Sequence, residues 1–197
     1  MKAWWTITLV TAATAATAAA TGSASAQTEA KLQPAQSEVS FQVKQMGVPV
    51  EGRFRKFDAQ IAFDPKKPET GKVALQIDTA SATMGSAEVD SELPKPVWFG
   101  VAKFPQASFA STSIKGLGGA KFEITGKLSI KGQVRDIVVP VTLTAPAQAG
   151  GPTLAAGSFS IKRVEFLVGE KEWADVSLVA NDVLVRFKLA LVGIGAL

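Results

Sequence analysis

Between residues 38 and 191 the chain alternates apolar and polar side chains in short runs, each closed by turn chemistry. "EVSFQVK" puts Val39, Phe41 and Val43 on one side, and "KVALQID" does the same with Val73, Leu75 and Ile77. "ASFASTSI" centres on Phe109. "KFEITGKLSI" sets Phe122, Ile124, Leu128 and Ile130 against Lys121, Glu123, Lys127 and Ser129. "IVVPVTLT" carries Ile137, Val139, Val141 and Leu143, and "GSFSIK" carries Phe159 and Ile161. The last run, "DVLVRFKLAL", opposes Val183, Val185, Phe187, Leu189 and Leu191 to Arg186 and Lys188. A period of two over about four to eight residues marks a half-buried strand, so each run predicts one.

The stretch from 45 to 63 bends this rule. Val48, Val50 and Phe54 share one parity, whereas Phe57, Ala59, Ile61 and Phe63 fall on the other. One extra residue near Arg55–Lys56 restores a common face, which predicts a β-bulge in a long second strand. Gly47 and Gly52 suit a sharply turning strand, and Pro49 suits a strand start or bend. Two segments carry no alternation. "TMGSAEVDSELPKPVWFGVAKFPQ", roughly 83 to 106, predicts one or two short helices with an aromatic plug of Trp98, Phe99 and Phe104. "RVEFLVGEKEWADVSLVAN" bridges the last two strands and holds Trp173. The sum is an all-β domain: an eight-stranded antiparallel barrel with a short helical insert between strands three and four. In such a barrel the interior is filled by side chains or shared with one small ligand.

The start of the chain is of another kind. Lys2, a soft Ala/Thr/Val run and the Ala24-Ser25-Ala26 site predict a signal peptide over 1–26, cleaved after Ala26, leaving 27–197 as one domain. That predicts export from the cytoplasm. Lys2 is the only charge in 1–26, so its removal lowers the net charge of +4 by one. The remaining basic residues are scattered, which argues against nucleic acid and leaves a weak attraction to anionic membrane surfaces.

Two absences narrow the chemistry. With no cysteine there is no disulfide framework, so the core alone must hold the fold. With no histidine, Ser-His-Asp triads, Cys-His pairs and His-ligated zinc are all excluded. Glu170, Glu172 and Asp175 lie together in sequence but suit a solvated loop better than acid–base work. "GLGG" lacks the strand–helix context of a phosphate loop and predicts a hairpin. No metal ligands and no catalytic residues are assigned.

"GVPVEGRFRKFDAQIAFDP", "WFGVAKFPQASFAST", "GKLSIKGQVRDIVVPVTL" and "IKRVEFLVG…WADV…NDVLVRFKL" together resemble the YceI family of exported proteins, over nearly all of the chain after residue 26. The resemblance implies a lipocalin-like barrel in the periplasm whose lumen holds a long apolar molecule, such as a polyisoprenoid or isoprenoid quinone. It implies no catalysis and no cofactor besides that lipid. Many relatives carry histidines just before the Gly-Val of the first hairpin and in the helical insert. This chain has Gln45–Met46 and Ser91–Leu93 there.

The candidate lipid-binding face is therefore Phe41, Val43, Phe54, Ile61, Phe63, Leu75, Ile77, Trp98, Phe99, Phe104, Phe109, Phe122, Ile124, Leu128, Val139, Val141, Phe159, Ile161, Val185 and Phe187. Periodicity alone describes an ordinary packed core better than a tunnel; the resemblance favours the tunnel. Each buried methylene contributes about 0.8 kcal/mol, so some ten carbons supply roughly 8 kcal/mol before immobilisation costs. Arg163, in "IKRVEF", suits a head group at the barrel mouth and suits a solvated surface position equally. The competing reading is a small outer-membrane barrel, against which stand the absence of tyrosine and the long insert. Monomer and homodimer both remain open.

Overall fold

A computed structural model describes residues 29–197. The signal-peptide expectation over 1–26 lies outside the described residues. Strands β1 (Glu29–Leu32) and β2 (Glu38–Gln45) form one stave of the barrel, interrupted by a single 3-10 turn at Pro34–Gln36. Both lie along the last strand, β11 (Val179–Val192), through Leu32↔Leu191 and Val39↔Phe187. Across the interruption, Gln33 N donates to Ala190 O at 2.8 Å, and Ser37 Oγ accepts from Ala190 N at 2.9 Å. The ladder therefore loses no backbone partner at the break.

The second stave is β3 (Val48–Phe54) followed by β4 (Phe57–Ala62). In place of the predicted bulge the strand breaks outright at Arg55–Lys56. The freed N–H groups of Arg55 and Lys56 donate to Ser81 O and Ser81 Oγ, at 3.1 and 3.0 Å. The parity shift read from the sequence is real, and its cause is this break. The far side of β3 pairs only at Arg53 and Phe54, with the two-residue β6 (Ala82–Thr83). Pro49, lacking an N–H, sits on the part of β3 that has no second neighbour.

From β4 the sheet runs through β5 (Lys72–Asp78), β7 (Gln106–Gly118), β8 (Lys121–Ile130), β9 (Gln133–Thr144) and β10 (Thr153–Lys162) to β11, each pairing antiparallel with the next. β1 closes the ring by pairing with β4 at Ala30↔Ile61 and with β11. Eight antiparallel staves result, as the alternation predicts. The insert between β5 and β7 contains helix α1 (Ala87–Glu92).

The two ends of the barrel differ. At the end formed by β1, the start of β8 and the end of β11, inward side chains are fully buried: Ala30, Phe63, Phe122, Val141, Leu143 and Leu191. Phe63 and Phe122 meet edge to face with centroids 5.1 Å apart. At the other end the segments 79–105 and 163–178 fold over the opening.

Candidate functional site

In the upper half of the barrel the inward side chains lack full cover. Phe41, Val43, Phe54, Phe109, Phe159, Val185 and Phe187 alternate with outward polar residues, yet each is only half-buried. They face a cavity of about 610 Å³, within the usual range for small-molecule sites. All the apolar residues assigned to the inner face from the sequence line this cavity, Phe104 excepted.

Phe104 is a correction. Its ring packs beside Gly132, at the turn between β8 and β9, and against Gly100. Its carbonyl accepts from Thr79 Oγ1 at 2.8 Å. Phe104 thus braces the insert from outside the lumen. Trp98 and Phe99 do reach the cavity, and Phe99 stands edge-on to Phe54 with centroids 5.8 Å apart. Residues outside the initial assignment also line it: Val39, Val73, Leu143 and Leu189 on the alternating strands, and at the cap Met84, Val89 and Leu93 around α1 with Val168, Trp173 and Val179 at the other side. The cap segments have no period of two, so alternation gave no signal there. The aromatic pair Trp98–Trp173, centroids 5.4 Å apart, joins the two halves of the cap.

Glycines shape the wall. Phe41 pairs across strands with Gly52, and Phe187 with Gly157. A Cβ at Gly52 would fall under 3.0 Å from three atoms of the Phe41 ring. At Gly126 a Cβ would stand 2.5 Å from the Phe109 ring. Gly52 is therefore not a kink device, as its place in the sequence suggests; it makes room for a ring lying along the wall.

The cap is held by two buried cations. Lys131, in the β8–β9 turn, donates to Pro96 O at 2.6 Å and Leu167 O at 2.7 Å, and pairs with Glu170. Val97 O in turn accepts from Gly169 N and Glu170 N at 2.8 and 3.0 Å. Arg163 is 2% exposed, not a free cation at the mouth. Its Nε donates to Ala180 O, its Nη1 to Val168 O and Gly169 O, and its Nη2 to Val179 O, at 2.6–3.1 Å. Burial pushes its pKa down, and no carboxylate pairs with it among the described residues. Its charge is balanced by carbonyl dipoles alone, at the edge of the cavity.

The mouth lies where lining residues reach solvent. Gln45 and Glu51 on the β2–β3 hairpin and Glu88, Val89 and Glu92 on α1 are exposed members of the lining. The rest of the lining is apolar except the exposed Ser108 and the buried Arg163. Among the described residues, no three acidic, histidine or cysteine side chains gather to hold a metal ion.

Residues 31–191 match the model of the YceI-like domain. A UPF0312 protein of Azotobacter vinelandii is 38% identical over 102 residues, 51% of this chain and 53% of that protein. Protein YceI of Salmonella arizonae is 39% identical over 114 residues, 57% of each chain. The chain thus spans little more than half the length of these curated relatives. Among solved structures, Burkholderia cenocepacia BcnA is 42% identical with a TM-score of 0.76, over 81% of this chain and 99% of that one. A polyisoprenoid binding domain from Saccharophagus degradans shares the fold at 15% identity, with a TM-score of 0.63 over 84% and 99%.

Proposed function

The chain belongs to the YceI-like domain family, and on that footing we propose that it binds one long apolar lipid inside the barrel and carries it through the periplasm. The observation that carries this reading is the upper lumen, where apolar side chains turned inward are left half-covered around about 610 Å³ of space. Burying such surface is the main driving force open to the chain, so leaving it uncovered favours an apolar occupant. At roughly 30 Å³ for each water-sized group, about twenty such groups fill 610 Å³, which suits a long chain. The polyisoprenoid bound by the Saccharophagus domain supports this class of ligand.

The orientation of the ligand follows from polarity. The cavity lining at the closed end is apolar and takes the tail. An acceptor-bearing head group rests under the cap, where Arg163, held by carbonyls and paired with no carboxylate among the described residues, supplies a positive potential beside Trp98 and Trp173. Export before cleavage after Ala26 places the protein in the periplasm, and the chain acts by binding, without catalysis.

The membrane-barrel alternative fits the walls poorly. Outward faces carry charge pairs inside the strands, Lys127–Asp136 at 3.0 Å and Arg186–Glu51 at 3.3 Å, where a membrane barrel presents an apolar band. Organic extraction of the purified protein followed by mass spectrometry tests the carrier reading. Release of a prenyl or acyl chain supports it; an extract free of such species from protein that also refuses added lipid ends it.

A further inference from the structure

The β2–β3 turn goes against the residue preference of its own geometry. Met46 and Gly47 lie between the paired residues Gln45 and Val48, with φ of 47° and 82°. Two positive φ values in a two-residue hairpin define a type I′ turn, whose first central position favours Asn, Asp or Gly. Methionine there is strained and gains no burial in exchange, being 71% exposed. Val48, next to it, is 61% exposed. Met46 N donates to Leu178 O at 2.8 Å, which brings the exposed Leu178 and Val176 beside the tip. None of these four side chains lines the cavity, yet Gln45, Val50 and Val179, their neighbours in the ladder, all do. The apolar tip thus stands at the edge of the cargo's exit.

We propose that this tip is a docking surface for a lipid bilayer, inserted while cargo passes between bilayer and cavity. The proposal rests on the carrier reading and adds the partner from which cargo is taken. A protruding turn with a flexible methionine at its apex suits a soft apolar phase, into which it sinks, better than a rigid protein face. The exit opens beside these side chains, so an insoluble chain moving through it meets apolar contact instead of water. The charges at the mouth point the same way. Glu51 pairs with Arg186 at 3.3 Å and Glu92 with Lys95 at 2.5 Å, so the acidic rim is largely neutralised. Docking is therefore driven by insertion, and a neutral phosphatidylcholine surface suffices.

The chain has no cysteine, so single thiols give clean probes. Met46→Cys bearing a solvent-sensitive dye is mixed with phosphatidylcholine vesicles, beside Leu117→Cys, an exposed apolar site at the opposite end of the barrel. The dye at 46 shifts to the blue, at low and high salt alike; the dye at 117 does not. Equal shifts at both sites overturn the proposal, as does no shift at 46. A shift at 46 that follows protein concentration without vesicles assigns the tip to a second copy and also overturns it. Met46→Asn with Val48→Thr suits the turn better, so folding and equilibrium uptake of a pyrene-labelled fatty chain persist. Its transfer of that chain between vesicles slows about tenfold or more, because the inserted apolar surface is gone. Transfer at the unaltered rate overturns the proposal. Failure of the unaltered protein to take up the pyrene chain counts against the carrier reading alone, and the dye result then judges docking by itself.

Discussion

The ring of Phe187 lies over Gly157, its cross-strand partner, close enough that a Cβ on the glycine would stand 2.6 Å from the ring. Phe41 and Gly52 repeat the arrangement, with no backbone atom among the nearest neighbours of the missing Cβ. In both pairs a large apolar side chain is flattened against the wall, and the space it would otherwise fill remains open. The glycines have a conformational cost of roughly 0.5–1 kcal/mol each relative to alanine in a strand interior. That cost is accepted here in return for lumen volume.

Gly52→Ala tests the arrangement. The new methyl pushes the Phe41 ring into the lumen, so lipid uptake weakens while stability changes by no more than about 1–3 kcal/mol. Phe41→Leu in the same chain restores uptake, measured by titration with a fluorescent fatty chain. Gly157→Ala behaves differently, because its methyl also meets Pro140 O, a backbone atom that cannot swing aside. Its loss of stability persists with Phe187→Leu. Additive effects of Gly52→Ala and Phe41→Leu on uptake would contradict the pairing.

Arg163→Met leaves the carbonyls of Val168, Gly169, Val179 and Ala180 without their donor. Each buried unsatisfied carbonyl costs about 1–3 kcal/mol, partly recovered by relaxation, so urea unfolding should show a loss of about 3 kcal/mol or more. Arg163→Lys recovers only part, since an ammonium lacks the fork that spans both pairs of carbonyls. A methionine variant as stable as the parent would show that these bonds do not hold the cap.

Asp90 ties α1 to β6. Its carboxylate accepts from Thr83 Oγ1 at 2.5 Å and Met84 N at 2.6 Å, and these bonds hold its pKa below the ordinary aspartate value, with Arg55 helping. A depressed folded pKa gives stability that is present above the unfolded value and lost as pH falls through the folded one. The attachment of α1 should therefore loosen only below about pH 4. Hydrogen exchange at the α1 amides should show that acid-side loss in the parent and not in Asp90→Asn. An identical acid profile in both would contradict it.

The walls of this barrel were legible because alternation and burial coincide: the inward parity of "KFEITGKLSI" and "DVLVRFKLAL" is the parity observed. β1 escaped notice, since "EAKL" buries only Ala30 and is a strand because β4 and β11 flank it. The cap was harder still. Phe104 and Phe99 stand five residues apart in one aperiodic segment, and only tertiary packing sends one to Gly132 and the other to the lumen. Arg163 looked equally like a surface residue or a head-group ligand. Its burial depends on carbonyls from the Val168–Gly169 loop and from the start of β11, which no local pattern records. Gly52 looked like a bend, because the ring it accommodates sits on a neighbouring strand.

One measurement bears most directly on the claim that the lumen holds a single apolar chain. Protein stripped of lipid is titrated with a long-chain prenyl alcohol and weighed intact under native conditions. The expected result is one bound chain per protein, saturable, and abolished by Phe109→Arg, which places a charge in the middle of the cavity. Protein that takes up no chain, or takes up several without saturation and equally well with arginine at 109, would contradict the account.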